Sequence, residues 1–255
     1  MSFSPQDSLK RLILIVQEFV LLSFRAVANL FRRPHYWPDV FLQMDIIGVG
    51  SLPIVVLTGF FSGAVLALQM YDTLATFGAS AQTGRLVSFS LVREMGPVLT
   101  SLMVAGRNAA GMASELGSMA VTEQIDAMRA LGTDPVKKLV TPRLLATLVV
   151  LPLLTIIADF TGIFGGFVVS YLLIKLTPTQ YWTTVYHYLT FKDVAQGLAK
   201  PFVFAFAVAL VGCYYGVTTR GGTQGVGRST TQAVVSASVL IFALNLLLTN
   251  IFVRG

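Results

Sequence analysis

The sequence predicts an all-α membrane protein, and three observations carry that prediction. Of its 255 residues, 55% are hydrophobic and only 12% charged, with a mean hydropathy of +0.74. Soluble domains carry about 25% charged residues, so a chain with half that share cannot cover a water-facing surface with polar groups. The apolar residues gather into runs of about 20 or more, the length that crosses a bilayer as a helix. Many of the 22 glycines and 10 prolines fall inside those runs, a habit of membrane helices. A formal charge of +6 and a pI near 9.6 do not mark a nucleic-acid binder, because Lys and Arg sit between apolar runs and build no single basic face. The one cysteine, Cys213, lies in an apolar run and reads as a small packed hydrophobe.

Taken in order, residues 1–40 come first as an amphipathic helix lying in the membrane interface. Leu9, Leu12, Ile13, Val16, Phe19, Val20, Val27, Leu30 and Phe31 recur at helical spacing, while Lys10, Arg11, Glu18, Arg25, Arg32 and Arg33 interrupt them too often for a comfortable span. A signal peptide competes for this stretch, but the charges persist past Arg25 and no small-residue cleavage site follows. Five spanning helices are expected at 46–71, 86–115, 143–175, 197–219 and 229–253. The first is free of charge, the second is interrupted by Arg93, Glu94 and Arg107, and the third contains Asp159. With the N-terminus inside, twelve Lys and Arg fall on the cytoplasmic side and six on the other, which favours a cytoplasmic N-terminus and a periplasmic C-terminus. The Tyr- and Trp-rich stretch 180–193 suits the outer headgroup belt.

Segment 119–135 then falls in the cytoplasm. Thr122 reads as an N-cap, Glu123 and Asp126 as first-turn acids, Gly132 as the stop and Pro135 as a block to resumption. Ile125, Met128 and Leu131 form a narrow apolar stripe. A helix of about ten residues is marginal alone in water, so either a partner's groove or the membrane surface holds it.

Arg93 and Glu94 stand inside the second span. An intramembrane charge costs at least about 2.5 kcal/mol, so each either pairs with a neighbouring helix or lines a polar-edged cavity near the outer leaflet. Pro97 loosens the helix just beyond them. Arg107 and Glu115 share a face near the cytoplasmic end and read as structural ion-pair partners. Asp159 reads as a hydrogen-bonded buried acid beside Thr161, with a proton relay as the alternative.

Ser90-Leu-Val-Arg-Glu-Met-Gly-Pro-Val-Leu99, Ala105-Gly-Arg-Asn-Ala-Ala-Gly-Met-Ala-Ser-Glu-Leu-Gly117 and Thr122-Glu-Gln-Ile-Asp-Ala127 occur in that order. Together they resemble the MlaE/YrbE family of permeases, which serve the Mla and Mce lipid-transport systems, and the likeness covers nearly the whole chain. The resemblance implies a single permease domain over 1–255, working as the membrane subunit of an ABC transporter. Such a transporter moves phospholipids between the inner membrane and the periplasmic or outer-membrane side and contributes to outer-membrane lipid asymmetry. It further implies that 119–135 is a coupling helix, with Glu123, Gln124, Asp126 and Arg129 on the ATPase and Ile125 and Met128 as apolar anchors. A phospholipid pocket between two copies would take Leu66, Leu74, Phe77, Arg93, Glu94 and Met95, with Leu74 and Phe77 at the end of the first span. The implied partners are a second copy of the chain, two copies of a MlaF-like cytoplasmic ABC ATPase, a MlaD-like hexamer of MCE domains and a MlaB-like STAS protein. ATP and Mg would sit in the ATPase, and this chain would hold no cofactor.

Other patterns weigh less. Gly222-Thr-Gln-Gly-Val-Gly-Arg-Ser229 has P-loop spacing, but Arg228 replaces the lysine and a span precedes it, so it reads as a glycine-rich turn with Ser229 or Thr230 capping the last helix. Gly59 and Gly63, Gly162 and Gly166, and the surface of Ala105, Gly106, Ala109, Ala110 and Ala113 are close-approach faces, inside the subunit or between copies. His35 and His187 stand alone, without a second metal ligand. An ion-coupled carrier using Asp159 and Glu94, or a membrane-embedded lipid-modifying enzyme, are the rival classes. The first lacks visible repeats and the second a clustered acid or metal site.

Overall fold

The computed structural model describes residues 5–31 and 36–254, and the side chains of 5–12 and 253 are outside that description. The expectations on Leu9, Lys10, Arg11 and Leu12 as side chains, and on Arg32, Arg33 and His35, therefore lie outside the described residues. Every described element is helical. Six helices are long and apolar enough to cross a membrane. Five correspond to the expected spans and the sixth is Ile13–Leu30 of the first helix.

That first helix, α1 (Pro5–Leu30), leaves Ile13, Leu14, Val16, Val20 and Phe24 exposed and, among its described side chains, buries only Ala26 and Asn29. Tyr214 donates to Glu18 at 3.4 Å, Thr141 to the Ala26 carbonyl at 3.5 Å, and Asn29 to Asp134 at 3.5 Å. These three bonds tie α1 to the rest of the bundle at residues 134, 141 and 214.

α2 (Trp37–Thr76) runs 40 residues, about 60 Å at 1.5 Å per residue, and so projects beyond a hydrocarbon core of about 30 Å. It packs on α5, the helical stretch Val136–Leu172, through a glycine seam. A Cβ on Gly63 would stand 1.8 Å from the Gly162 carbonyl oxygen, one on Gly165 2.2 Å from that of Phe60, and one on Gly59 2.7 Å from that of Ala158. The small-residue faces of these two spans thus meet inside the subunit. Backbones in such contact gain dispersion where lipid offers no hydrophobic drive.

α3 (Ser80–Val121) is one long rod broken by two wide turns, Leu91–Met95 and Ala105–Ala109. The first closes with Gly96 N–H on the Leu91 carbonyl, one residue wider than an α-turn. Pro97 follows immediately, so the loosening expected there takes this form. Ala105, Ala109 and Ala113 are fully buried, and α7 (Phe191–Val217) presses against them where a Cβ on Gly212 would lie 2.9 Å from the Ala109 Cα.

The turn regions correct several expectations. Thr122 does not cap the following helix; its hydroxyl donates back to the Ser118 carbonyl at 2.8 Å, closing the end of α3. The N-cap of α4 (Gln124–Ala130) is Glu123 itself, held left-handed at φ 61°. The far end behaves as expected. Gly132 adopts φ 77°, its N–H bonds the Arg129 carbonyl and the Thr133 N–H bonds the Met128 carbonyl, the paired closure a C-terminal glycine permits. Pro135 does not block the chain. Asp134 accepts the Val136 N–H at 2.9 Å, Pro135 occupies the first turn where its missing N–H is harmless, and α5 begins seven residues earlier than expected. Residues 222–229 are likewise no turn, because α8 (Gly222–Arg254) begins there, after Gly221 and Gly222 at φ 91° and 66°. Ser229 bonds Thr219 at 2.8 Å instead of capping. Between α5 and α7, the short α6 (Pro178–Tyr188) is closed by a Thr177–Gln180 capping box.

Candidate functional site

The site grows from one close approach. A Cβ on Gly197 would lie 2.1 Å from the Val92 carbonyl oxygen, so only glycine lets α7 touch the wide turn of α3. Asp193, Gln196 and Lys200 lie at i, i+3 and i+7 on α7 and share the face that meets Arg93 and Glu94. Lys200 is the decisive group and is almost wholly buried, with 1% of its surface exposed. Its ammonium lies 2.7 Å from Glu94 Oε2 and donates to Thr249 at 3.0 Å. It also donates to the Arg93 carbonyl at 2.8 Å, the oxygen whose helical partner would be the N–H that Pro97 lacks.

The remaining contacts complete the cluster. Arg93 donates to Gln196 at 2.6 Å, reaches Asp193 at 3.5 Å and lies over the Phe89 ring at 4.7 Å. Glu94 accepts from Asn245 at 3.2 Å and from Thr249 at 3.1 Å, both on α8. Two bases face two acids, so the cluster is neutral in sum and every charge is partnered, which makes its burial tolerable. Beside it opens a cavity of about 290 Å³, whose walls include Arg93, Glu94, Met95, Gln196 and Lys200, with Phe89 and Phe252 as apolar lining. Arg93 and Glu94 thus pair with side chains of neighbouring helices and also border a cavity. The arrangement offers paired charges at an apolar wall, which suits an amphiphile with a charged head.

The other expected pocket residues lie elsewhere in the subunit. Leu66 is buried in a core cluster with Ala67, Val87 and Leu91. Leu74 is half-buried near the end of α2, and Phe77, just past it, is 80% exposed. The sequence reading missed Lys200, Gln196, Asn245 and Thr249. The i, i+3, i+7 spacing of Asp193, Gln196 and Lys200 was the available signal. A fourth span expected at 197–219 leaves Asp193 and Gln196 outside it, so the three do not read as one helix face.

At the opposite end, α4 presents Glu123, Gln124, Asp126 and Arg129 to the exterior, with Arg129 on Asp126 at 2.7 Å. Ile125 is buried in the chain's own core and Met128 packs against it, so both anchor α4 to its own bundle; Leu131, at 84% exposed, is the outward apolar residue. The apolar stripe is therefore split between core and surface. Glu115 pairs with Arg143 at 2.8 Å, while Arg107 donates to Ser51 at 3.2 Å, so the two expected ion-pair partners serve different neighbours. Asp159 makes no hydrogen bond through Oδ1 among the described residues. Thr161 donates to the Ile157 and Ala158 carbonyls, and Asp159 Oδ1 instead abuts Gly96, 1.7 Å from where a Cβ would be.

Comparison with known proteins follows the same lines. The family model described as Permease MlaE matches residues 40–251. A probable ABC transporter permease protein of Rickettsia felis is 45% identical over 239 residues, covering 94% of this chain and 92% of that one. The intermembrane phospholipid transport system permease protein MlaE of Haemophilus influenzae is 34% identical over 220 residues, 86% of this chain and 84% of that protein. TRIGALACTOSYLDIACYLGLYCEROL 1, a chloroplastic protein of Arabidopsis thaliana, is 32% identical over 235 residues, 92% of this chain and 67% of that protein.

Proposed function

Because the chain belongs to the MlaE permease family and is thus a multi-pass permease subunit of ABC-transporter type, we propose that its cargo is phospholipid. It is moved between the inner membrane and the periplasmic or outer-membrane side. The observation that carries this reading is the neutral quartet of buried Asp193 and Lys200 and half-buried Arg93 and Glu94 beside an apolar-walled cavity. Paired charges can exchange partners with a headgroup without leaving any ion bare, while Met95, Phe89 and Phe252 receive acyl chains. The Haemophilus relative's name supports the same cargo.

The cavity and α4 lie at opposite ends of the bundle. A cytoplasmic ABC ATPase, present in two copies on a homodimer of this chain, engages the outward face of α4 through Glu123, Gln124, Asp126 and Arg129. ATP and Mg belong to that partner. An MCE-domain ring on the periplasmic side and a small STAS protein complete the assembly, with the N-terminus of this chain cytoplasmic and its C-terminus periplasmic. The left-handed Glu123 supports a docking role, since a non-glycine residue at φ 61° stores about 1–3 kcal/mol that the surrounding contacts must outweigh. Leu74 and Phe77 contribute, on this reading, from the partner copy's side of a shared pocket, whereas Leu66 is held in its own subunit's core.

The test is ATP-driven transfer of labelled phospholipid in proteoliposomes holding the chain and its cognate ATPase. Arg93→Gln with Glu94→Gln is expected to lower transfer at least tenfold while the ATPase still co-purifies. Transfer at the parental rate would remove the cavity from the mechanism.

A further inference from the structure

A second amphiphilic cavity lies at the α4 end, away from the charged quartet. α1, α4 and the turn between α7 and α8 enclose two adjoining pockets of about 460 and 700 Å³ that share Tyr214, Thr218, Thr219 and Arg220. The glycine turn builds this place. Gly221 and Gly222 take positive φ, and a Cβ on Gly225 would stand 2.0 Å from the Arg220 carbonyl oxygen. Glycine there lets the chain fold back on α8, which brings Arg220 and Arg228 to one mouth, with Arg25 of α1 facing them across the adjoining pocket.

The charge balance here differs from that of the quartet. Arg129 is paired with Asp126, and Glu18 accepts from Tyr214. Arg25, Arg220 and Arg228 have no acidic partner among the described residues, although all three line the groove and are exposed. Glu18 sets a carboxylate beside a neutral phenol in the same groove, so three arginines face one acid and the groove holds a net positive charge that favours an anion. Guanidinium forks suit phosphate oxygens, and basic pockets beside membrane helices take acidic headgroups. The opposite wall is apolar, with Ile15, Leu21 and Leu22 of α1 in the lining and the exposed Leu14 and Val16 alongside.

We propose that this groove holds an acidic phospholipid of the leaflet on the α4 side, its phosphate between Arg25, Arg220 and Arg228 and its acyl chains along α1. The shared chemistry is a phosphate anion. The apolar wall selects a lipid over free phosphate, and the lipid would clamp α1 against the bundle end that carries α4. This site is separate from the transport cavity, because neither Glu94 nor Lys200 takes part in it, but it borders the proposed ATPase surface, since Asp126 and Arg129 also line it.

Native mass spectrometry of the detergent-purified chain tests it, titrated with phosphatidylglycerol or phosphatidylcholine in an Arg93→Gln, Glu94→Gln background that silences the other cavity. Phosphatidylglycerol is expected to bind preferentially, and Arg220→Gln with Arg228→Gln to weaken it about thirty-fold, as loss of two headgroup-facing arginines implies. Arg220→Lys with Arg228→Lys is expected to retain most of the preference, which separates charge from folding. Equal binding of the two lipids, or no change in the glutamine variant, would overturn the proposal. So would displacement of the lipid by inorganic phosphate alone, or a glutamine variant that loses its co-purifying ATPase while keeping the lipid.

Discussion

Replacing Lys200 by methionine removes one positive charge from a neutral quartet without opening much space. The ammonium is lost from three contacts: Glu94 at 2.7 Å, the Arg93 carbonyl at 2.8 Å and Thr249 at 3.0 Å. Truncating one partner of a buried ion pair costs about 3–5 kcal/mol when the other is left bare. The Glu94 side chain is 43% exposed toward the cavity, so solvent and headgroups screen it. Asn245 and Thr249 also still donate to it. Polar contacts measured inside membrane bundles average about 0.6 kcal/mol, a further reason to expect the low end. The working figure is about 2 kcal/mol, equivalent to a melting-temperature drop of about 4–8 °C for a chain of this size. Adding Glu94→Gln should restore at least half of that, because the bare acid is gone, giving a double-mutant-cycle coupling of at least about 1 kcal/mol, larger by whatever Glu94→Gln alone costs through the buried Lys200. Phospholipid transfer should stay low in both variants. Thermal unfolding in detergent measures the cycle. A single variant that melts within about 1 °C of the parent, or a double variant whose loss is the sum of the two singles, would refute the buried-pair reasoning.

Three further outcomes follow from the packing and the electrostatics. Gly63→Ala drives a Cβ to 1.8 Å from the Gly162 carbonyl, a backbone atom that cannot rotate away, so α2 and α5 must part. A loss of about 3 kcal/mol is expected, whereas Gly106→Ala, with nothing within 4 Å, should be neutral or slightly stabilising in the same melt. Burial pushes the Tyr181 phenol above its ordinary 10.0, and its hydroxyl donates to the Ile163 carbonyl at 3.0 Å. A raised value in the folded state means stability intact below about pH 10 and falling as pH rises beyond it. Tyr181→Phe should cost about 1 kcal/mol at neutral pH and flatten that alkaline slope in a pH-dependent unfolding series. Glu123→Ala with Asp126→Ala touches only exposed side chains, so the melting temperature should hold while ATPase co-purification falls at least tenfold. An intact complex would exclude these two acids from the docking surface.

Much of this architecture is legible in the sequence because lipid imposes a length rule on apolar runs. Arg93 and Glu94 stand out for the same reason, since a charge inside such a run needs a partner. Lys200 was hidden because a lysine near the edge of a span reads as a loop residue. Only the approach at Gly197 and the carbonyl freed by Pro97 reveal it as the central cation. The hand-off at Thr122 and Glu123 was also out of reach, because threonine closes one helix as readily as it opens the next. Pro135 and Ser229 misled for a related reason. Proline is as compatible with a first turn as with a stop, and glycines at 222–227 can be carried inside a helix that membrane and neighbours support. Ile125 and Leu131 fit one stripe on a helical wheel, yet a seven-residue helix turns one into the core and the other to the outside.

A cryo-electron microscopy map of the chain with its cognate ATPase in lipid nanodiscs tests the lipid cavity most directly. Elongated density is expected in the space beside Met95, with a phosphate-sized head within hydrogen-bond reach of Arg93. A cavity that stays closed by side chains, in every nucleotide state and with the ATPase seated on α4, would contradict phospholipid as the cargo of this site.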